Sequence, residues 1–225
     1  MAADRHRRFS GATRQSLLER LLAAHLYVIT PDQEADSLVS LAAAALRGGA
    51  DVLQLRHKTL ARGDLLLLAR RLRTLTDDAG ALFIVNDHLD LALLSEADGV
   101  HLGPDDLSVA GARQTAGDRL LIGASASTPS AAVEAIHSGA DYIGSGPAFP
   151  TPLKPKKVVI GPGGVANVAD TLGPRVPVFA IGGIDESNVA QLTAAGLHRA
   201  CVIRAVGDAP DPESAVRRLR TMLDA

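Results

Sequence analysis

A short run of β-forming residues followed by a helical stretch recurs eight times along this chain, and few folds accommodate that rhythm. The runs lie at residues 25–30, 52–56, 82–87, 99–103, 121–125, 142–146, 178–183 and 199–204. Their starts are about 25 residues apart, the length of one βα unit in a parallel sheet. Most are apolar on both faces, as strands covered by helices must be. Residues 37–46 are rich in Leu and Ala and run into Gly48-Gly49, a good helix stop. Thr128-Pro129 opens a helix ending before Gly139, with a capping hydroxyl and a proline in the first turn. Helices are also expected over 64–78, 185–195 and 211–223, with an extra one over 10–24 ahead of the first strand.

Eight such units within 225 residues predict an α/β chain folded as a single (β/α)₈ barrel. The competing doubly wound sheet usually has fewer strands, and no dinucleotide fingerprint follows the first strand. No linker divides the chain, so the domain reading is a mobile tail over residues 1–12 and one barrel domain over 13–225.

Composition narrows the function. Against 25 acidic residues stand 23 Lys and Arg, with no Trp and six Phe and Tyr. That balance lacks both the cationic excess and the stacking rings of a nucleic-acid surface. The longest nearly apolar run, 38–46, is too short to span a bilayer. A single cysteine, Cys201, excludes an internal disulfide framework and suits a reducing compartment. We therefore expect a cytoplasmic protein with no membrane or nucleic-acid partner. Its apolar outer helices suit a monomer or a homo-oligomer alike.

Barrels of this kind carry their chemistry at the C-terminal ends of the strands. In the second strand Gln54, Arg56 and Lys58 share one face, because side chains alternate, and that face should point into the mouth. Two cations and an amide there suit a phosphate or diphosphate. Asn86-Asp87 ends the third strand and Asp105-Asp106 follows the fourth. Carboxylates brought together in this way need a cation or proton between them, and all-oxygen ligands suit Mg²⁺. Zinc-type Cys/His spacing is absent. Ser125 should present a hydroxyl at the mouth, whereas His88 and His101 are assigned to loop and core roles. Residues 144–157, rich in Gly and Pro, read as a long mobile loop whose lysines can close over an anion. Gly183 after the seventh strand and Ile203-Arg204 after the eighth stand where such barrels often hold phosphate. Two anion sites without a nucleophile–base pair suggest a transferase with diphosphate as leaving group.

In this order the motifs resemble those of the thiamine-phosphate synthase family. They are Gln54-Leu55-Arg56-His57-Lys58, Val85-Asn86-Asp87, Gly99-Val100-His101-Leu102-Gly103 with Asp105-Asp106, and Gly123-Ala124-Ser125. They continue with Gly139-Ala140-Asp141-Tyr142, Gly144-Ser145-Gly146-Pro147, Phe149-Pro150-Thr151 with Lys154, and Ala180-Ile181-Gly182-Gly183-Ile184. The resemblance implies a (β/α)₈ barrel joining hydroxymethylpyrimidine diphosphate to thiazole phosphate in thiamine biosynthesis. It implies that Gln54, Leu55, Arg56, His57, Lys58, Asn86, Ser125 and Lys154 bind the pyrimidine diphosphate. By the same likeness Thr151, Pro152, Leu153, Gly183, Ile203 and Arg204 bind the thiazole phosphate, and Asp87 and Asp106 hold Mg²⁺. The implied mechanism is dissociative, which agrees with the lack of a side-chain nucleophile. Four positions depart from the family pattern: Pro104 for Gln, Leu153 for a second Thr, Arg204 for Ser, and Ser127 where relatives often carry His. A thiazole tautomerase-like isomerase and a non-catalytic thiamine-phosphate-binding barrel are the alternatives; the first typically needs that histidine, and the second would be expected to lose Asp87 and Asp106.

Overall fold

The computed structural model describes residues 13–152 and 155–225; the tail read at residues 1–12 lies outside them. The elements follow in the order α1 (Arg14–Leu22), β1 (Leu26–Ile29), α2 (Ala35–Arg47), β2 (Val52–Leu55), α3 (Arg62–Ala79), β3 (Leu82–Asn86), α4 (Leu89–Leu94), β4 (Gly99–Leu102), α5 (Val109–Ala116), β5 (Leu121–Ser125), α6 (Pro129–His137), β6 (Tyr142–Ser145), α7 (Gly161–Leu172), β7 (Val178–Ile181), α8 (Val189–Thr193), β8 (Ala200–Val202), α9 (Arg204–Gly207) and α10 (Pro212–Asp224). The strands close into one parallel barrel in sequence order, with β8 pairing back onto β1 through Leu26 and Ala200. The expected (β/α)₈ architecture is present.

Helix starts follow the capping residues. Thr128 accepts a hydrogen bond from the Ala131 amide, Ser108 from Gly111, and Asp211 from Ser214. The helix expected over 185–195 contracts to α8 because Asp185, Ser187 and Asn188 bond their own backbone instead. Asp185 Oδ1 accepts from the Ser187 amide, and Asn188 Nδ2 donates to the Gly183 carbonyl. The last strand also stops early, so Arg204 begins α9 rather than ending β8. No helix among the described residues is long and apolar enough to cross a membrane.

The apolar core has two layers. One lies between barrel and helices and includes Leu53, Leu55, Phe83 and Val85. The other fills the barrel itself with Tyr27, Val52, Leu82, Ile84, Leu121, Tyr142 and Phe179. Leu17 and Leu21 of α1 join that inner layer, so α1 stoppers one end of the barrel. Inside, glycine makes room for rings. A Cβ placed on Gly123 would lie 2.1 Å from Tyr142 Cζ, so only glycine tolerates that ring.

The N-terminal face is secured by a device used three times. Asp51, Asp98 and Asp141 immediately precede β2, β4 and β6. Each accepts from an amide at the start of the preceding strand: Leu26 at 2.9 Å, Phe83 at 2.8 Å and Ile122 at 2.8 Å. Each also holds an arginine: Arg220 at 2.6 Å, Arg73 at 2.8 Å and Arg113 at 2.6 Å. Arg14 of α1 adds a second cation to Asp141 at 2.7 Å. Before β8 the corresponding residue is Arg199, which instead donates to the Leu22 carbonyl at 2.6 Å. Conserving such bonds at this face is a matter of stability, because the reacting end of the barrel is the other one.

Candidate active site

At the C-terminal mouth the charged side chains form neighbouring pairs. Lys58 Nζ lies 2.8 Å from Asp87 Oδ2. Arg56 Nη1 lies 2.9 Å from Asp32 Oδ2, and the other oxygen of Asp32 accepts from the Lys58 amide at 2.6 Å. Asp32 therefore fixes both cations of the β2 end, one through its guanidinium and one through its backbone. Burial works against ionisation of Asp32, but the Lys58 amide and the Arg56 guanidinium outweigh it and hold its carboxyl below the usual range. Sequence reading passed over Asp32. Its signal was its place, directly after Thr30-Pro31 at the end of β1, where such barrels put reactive groups.

Asp87 is held in an unusual conformation. Its φ is 63°, in the left-handed region that costs a side-chain-bearing residue energy, though Asp tolerates it better than most. Its amide donates to the His101 carbonyl at 2.9 Å, and the next amide, His88, returns to the Asn86 carbonyl at 2.7 Å. This tight turn places the Asp87 carboxyl against Lys58 on one side and Asp106 on the other. Asp106 is fixed separately: its Oδ2 accepts from the Gly103 amide at 2.8 Å. The two carboxyls act on each other and are driven apart in acidity. Burial raises Asp87, yet Lys58 and Asp106 bring it below the ordinary value; burial and Asp87 together lift Asp106. Two neighbouring carboxyls have the donor set a hard divalent cation would take. Mg²⁺ characteristically uses one or two carboxylates and fills its shell with water and phosphate oxygens. No cluster of three or more His, Cys, Asp or Glu ligands occurs among the described residues. The site thus suits an ion completed by a ligand rather than a fully protein-made cage.

Beside this charged group is a cavity of about 360 Å³ at the ends of β5 to β8. Ser125, Thr151, Pro152, Gly183, Ile203 and Arg204 line it, with Lys157. The backbone turns beneath it at Gly182 and Gly183, with φ of 102° and 64°. A Cβ on Gly183 would lie 2.4 Å from the Pro150 carbonyl oxygen, so the loop after β6 rests directly on the end of β7. The base of that loop is anchored as well. Ala148 donates to the Ile181 carbonyl at 2.8 Å, Phe149 to Gly182 at 2.9 Å, and Ile160 to Pro147 at 3.0 Å. Arg204 is exposed and pairs with Asp208 at 2.7 Å.

The residues singled out from sequence therefore fall into two adjoining sets. Arg56, Lys58, Asp87 and Asp106 form the charged group, and Asn86 lies half-buried at the end of β3. Ser125, Thr151, Pro152, Gly183, Ile203 and Arg204 form the cavity. Gln54 does share the face of Arg56, but it sits below the mouth, buried in the barrel, where Nε2 donates to Tyr27 Oη at 2.7 Å. Leu55 points outward into the layer beneath the helices, so its backbone is what faces the mouth. His57 turns into its own loop: Nε2 lies 3.0 Å from the Gln33 carbonyl, and Nδ1 accepts from the Leu60 amide at 3.0 Å. Leu153 and Lys154 lie outside the described residues. His101, assigned to the core, reaches toward the mouth and lies 3.0 Å from Ser125 Oγ.

Residues 26–206 match the family model described as thiamine monophosphate synthase. Curated relatives agree. A thiamine-phosphate synthase of Thermobifida fusca is 45% identical over 215 residues, covering 94% of this chain and 97% of the relative. One from Salinibacter ruber is 44% identical over 193 residues, covering 85% and 84%. One from Gloeobacter violaceus is 46% identical over 204 residues, and there the match covers 90% of this chain but 58% of the longer relative. Among solved structures, thiamine phosphate pyrophosphorylase from Pyrococcus furiosus superposes with a TM-score of 0.81 at 37% identity, over 92% of this chain and 98% of that one.

Proposed function

This chain belongs to the thiamine monophosphate synthase family, and from that premise we propose that it is the transferase that joins hydroxymethylpyrimidine diphosphate to thiazole phosphate, releasing thiamine phosphate and diphosphate. One observation carries the reading. The pairing of Lys58 with Asp87, beside Asp106, is a group suited to a metal-bound diphosphate, and it stands at the same barrel mouth as a separate cavity lined by Gly183, Ile203 and Arg204. An enzyme that uses one phosphorylated substrate needs one such place; a two-substrate transferase that expels diphosphate needs both.

The chemistry asks little covalent work of the protein. The pyrimidine C–O bond breaks and the diphosphate leaves with the electron pair. The thiazole nitrogen then gives its lone pair to the resulting carbocation, forming the C–N bond. Lys58 and Arg56 stabilise charge that grows on the departing oxygens, and Asp32 keeps both in place before substrate arrives. Asp87 and Asp106 would hold Mg²⁺, whose role when bound is to neutralise diphosphate as a Lewis acid. Gln54 and Ser125 orient the pyrimidine ring from below. Thr151 and Pro152 cover the thiazole, and the backbone at Gly183 and Ile203-Arg204 takes its phosphate. Keeping water out matters as much as orientation, because water would capture the cation. With 23 Lys and Arg against 25 acidic residues and a single cysteine, Cys201, the composition is in keeping with work on small molecules in the cytoplasm.

The test is direct. Purified protein mixed with both substrates and Mg²⁺ should yield thiamine phosphate by mass, and chelation should stop it. Binding of both substrates without product would replace this reading with that of a non-catalytic binder.

A further inference from the structure

A file of polar side chains crosses the barrel interior beneath the mouth, and the reaction as described above does not use its middle. Gln54 Nε2 donates to Tyr27 Oη at 2.7 Å, and Tyr27 Oη lies 3.0 Å from Tyr142 Oη. Tyr142 Oη lies 3.3 Å from His101 Nδ1, and His101 Nε2 lies 3.0 Å from Ser125 Oγ. The file thus runs from β2 through β1, β6 and β4 to β5. Packing alone does not call for it. Phe179 stacks edge-on against both tyrosines at centroid distances of 5.4 and 6.0 Å and fills the same layer without a hydroxyl. Space is also reserved for it. Gly123 lies in register between His101 and Tyr142, so the two rings meet over a position with no side chain. Gly144, in register with Ser125, leaves room for the imidazole, whose Cε1 would be 3.1 Å from a Cβ there.

The file has a direction. An amide nitrogen only donates, so Tyr27 accepts from Gln54 and its own proton goes to Tyr142. Burial pushes both phenols far above their ordinary pKa, so each keeps a proton to give. Tyr142 accepts one hydrogen bond and donates the next to His101 Nδ1. A neutral imidazole that accepts at Nδ1 carries its proton at Nε2, and that proton is donated to Ser125 Oγ. With a lone pair so engaged, the Ser125 hydroxyl is left able to donate toward the cavity it lines.

We propose that Tyr27 and Tyr142 are positioning residues that orient this file in one direction, fix His101 in the Nε2–H tautomer and make Ser125 a hydrogen-bond donor to the bound heteroaromatic ring. The role at the ring rests on the reading that the mouth takes the hydroxymethylpyrimidine; the tautomer does not.

The test uses the full chain with Tyr142→Phe and Tyr27→Phe. Three quantities are read: the ¹⁵N shifts of the His101 ring nitrogens, thermal unfolding, and steady-state kinetics with both substrates. In the parent protein the His101 proton should reside on Nε2. Tyr142→Phe should mix the two tautomers and lower kcat/KM about tenfold or more while unfolding stays cooperative. Tyr27→Phe, one link further away, should act in the same direction. A proton on Nδ1 in the parent overturns the proposal. So does a Tyr142→Phe protein whose ring nitrogens and kcat/KM are unchanged, including one that is merely less stable. A parent protein that makes no thiamine phosphate would remove the reaction, while the ring nitrogens would still decide the file.

Discussion

Gly123 on β5 and Tyr142 on β6 are partners in register, and the phenol ring of one occupies the place where the other would carry a side chain. At 2.1 Å from Tyr142 Cζ, a methyl group cannot be accommodated by a small shift. Gly123→Ala should therefore cost about 1–3 kcal/mol, the usual range for overpacking a core. The urea midpoint should fall by the corresponding amount, and Tyr142→Ala in the same chain should relieve part of the clash. An unchanged midpoint for Gly123→Ala would mean that the ring has room to move.

Of the three carboxylates at the N-terminal face, Asp141 is the one that holds two arginines. Its side chain is 1% exposed and holds two arginines and the Ile122 amide. Asp141→Asn leaves Arg113 and Arg14 short of their counter-charge, for which the expected loss is about 3–5 kcal/mol. The melting temperature should drop steeply. The kcat/KM of the protein that remains folded should stay near that of the parent, because the reacting end is untouched. A large kcat/KM defect at a temperature where the variant is fully folded would contradict this division.

Asp87→Asn and Lys58→Ala strike the opposite end. We expect each to reduce kcat by about 10²–10³, as for loss of one charge-stabilising group. Calorimetry should show Mg²⁺-dependent diphosphate binding lost in Asp87→Asn and weakened in Lys58→Ala. Unfolding should be little changed, since Asn tolerates the φ of 63° at this position as Asp does. Retained metal-dependent binding in Asp87→Asn would assign the ion elsewhere.

Asp32 gives a pH signature. Its folded pKa lies below the ordinary value, so the ionised form is favoured by folding. The stability it contributes is complete above the unfolded pKa and is lost as pH falls through the folded one. Asp32→Asn should therefore melt lower than the parent at neutral pH, and the two curves should converge in acid, below the ordinary carboxylate range. Parallel curves across that window would show that Asp32 adds nothing through its charge.

The barrel was legible because its signal is periodic. All eight β-rich runs contain a strand, and β5 occupies residues 121–125 as read. Short elements escaped where local chemistry competes with periodicity, as with Asp185 and Asn188 before α8, or where a helix such as α9 is too brief to show a pattern. At the site, residues following β2, β3 and β4 were found, because alternation and strand ends fix their place, while Asp32 after β1 was missed. Gln54 obeyed alternation but lay deeper than the mouth, since sequence gives the face and not the height within the barrel. No role was read from sequence for Tyr27 or Tyr142. What distinguishes them is contact across the interior between β1 and β6, and nothing local in the chain carries that.

The three aspartate clasps also bear on how the polypeptide comes together. In each, the carboxylate and its strand-start amide are close along the chain, 25, 15 and 19 residues apart, although the arginine on Asp51 comes from α10. Such short loops close at low entropic cost, so the first, second and third strand pairs can be secured as each emerges during synthesis. Joining Ala200 to Leu26 must wait for nearly the whole polypeptide, and the residue before β8 is Arg199 rather than an aspartate. Until then β1 and the last-made strand are unpaired edges lined with apolar side chains. A stall or truncation before β8 would release a species that is well ordered inside yet adhesive at both margins, prone to pair with its own copies.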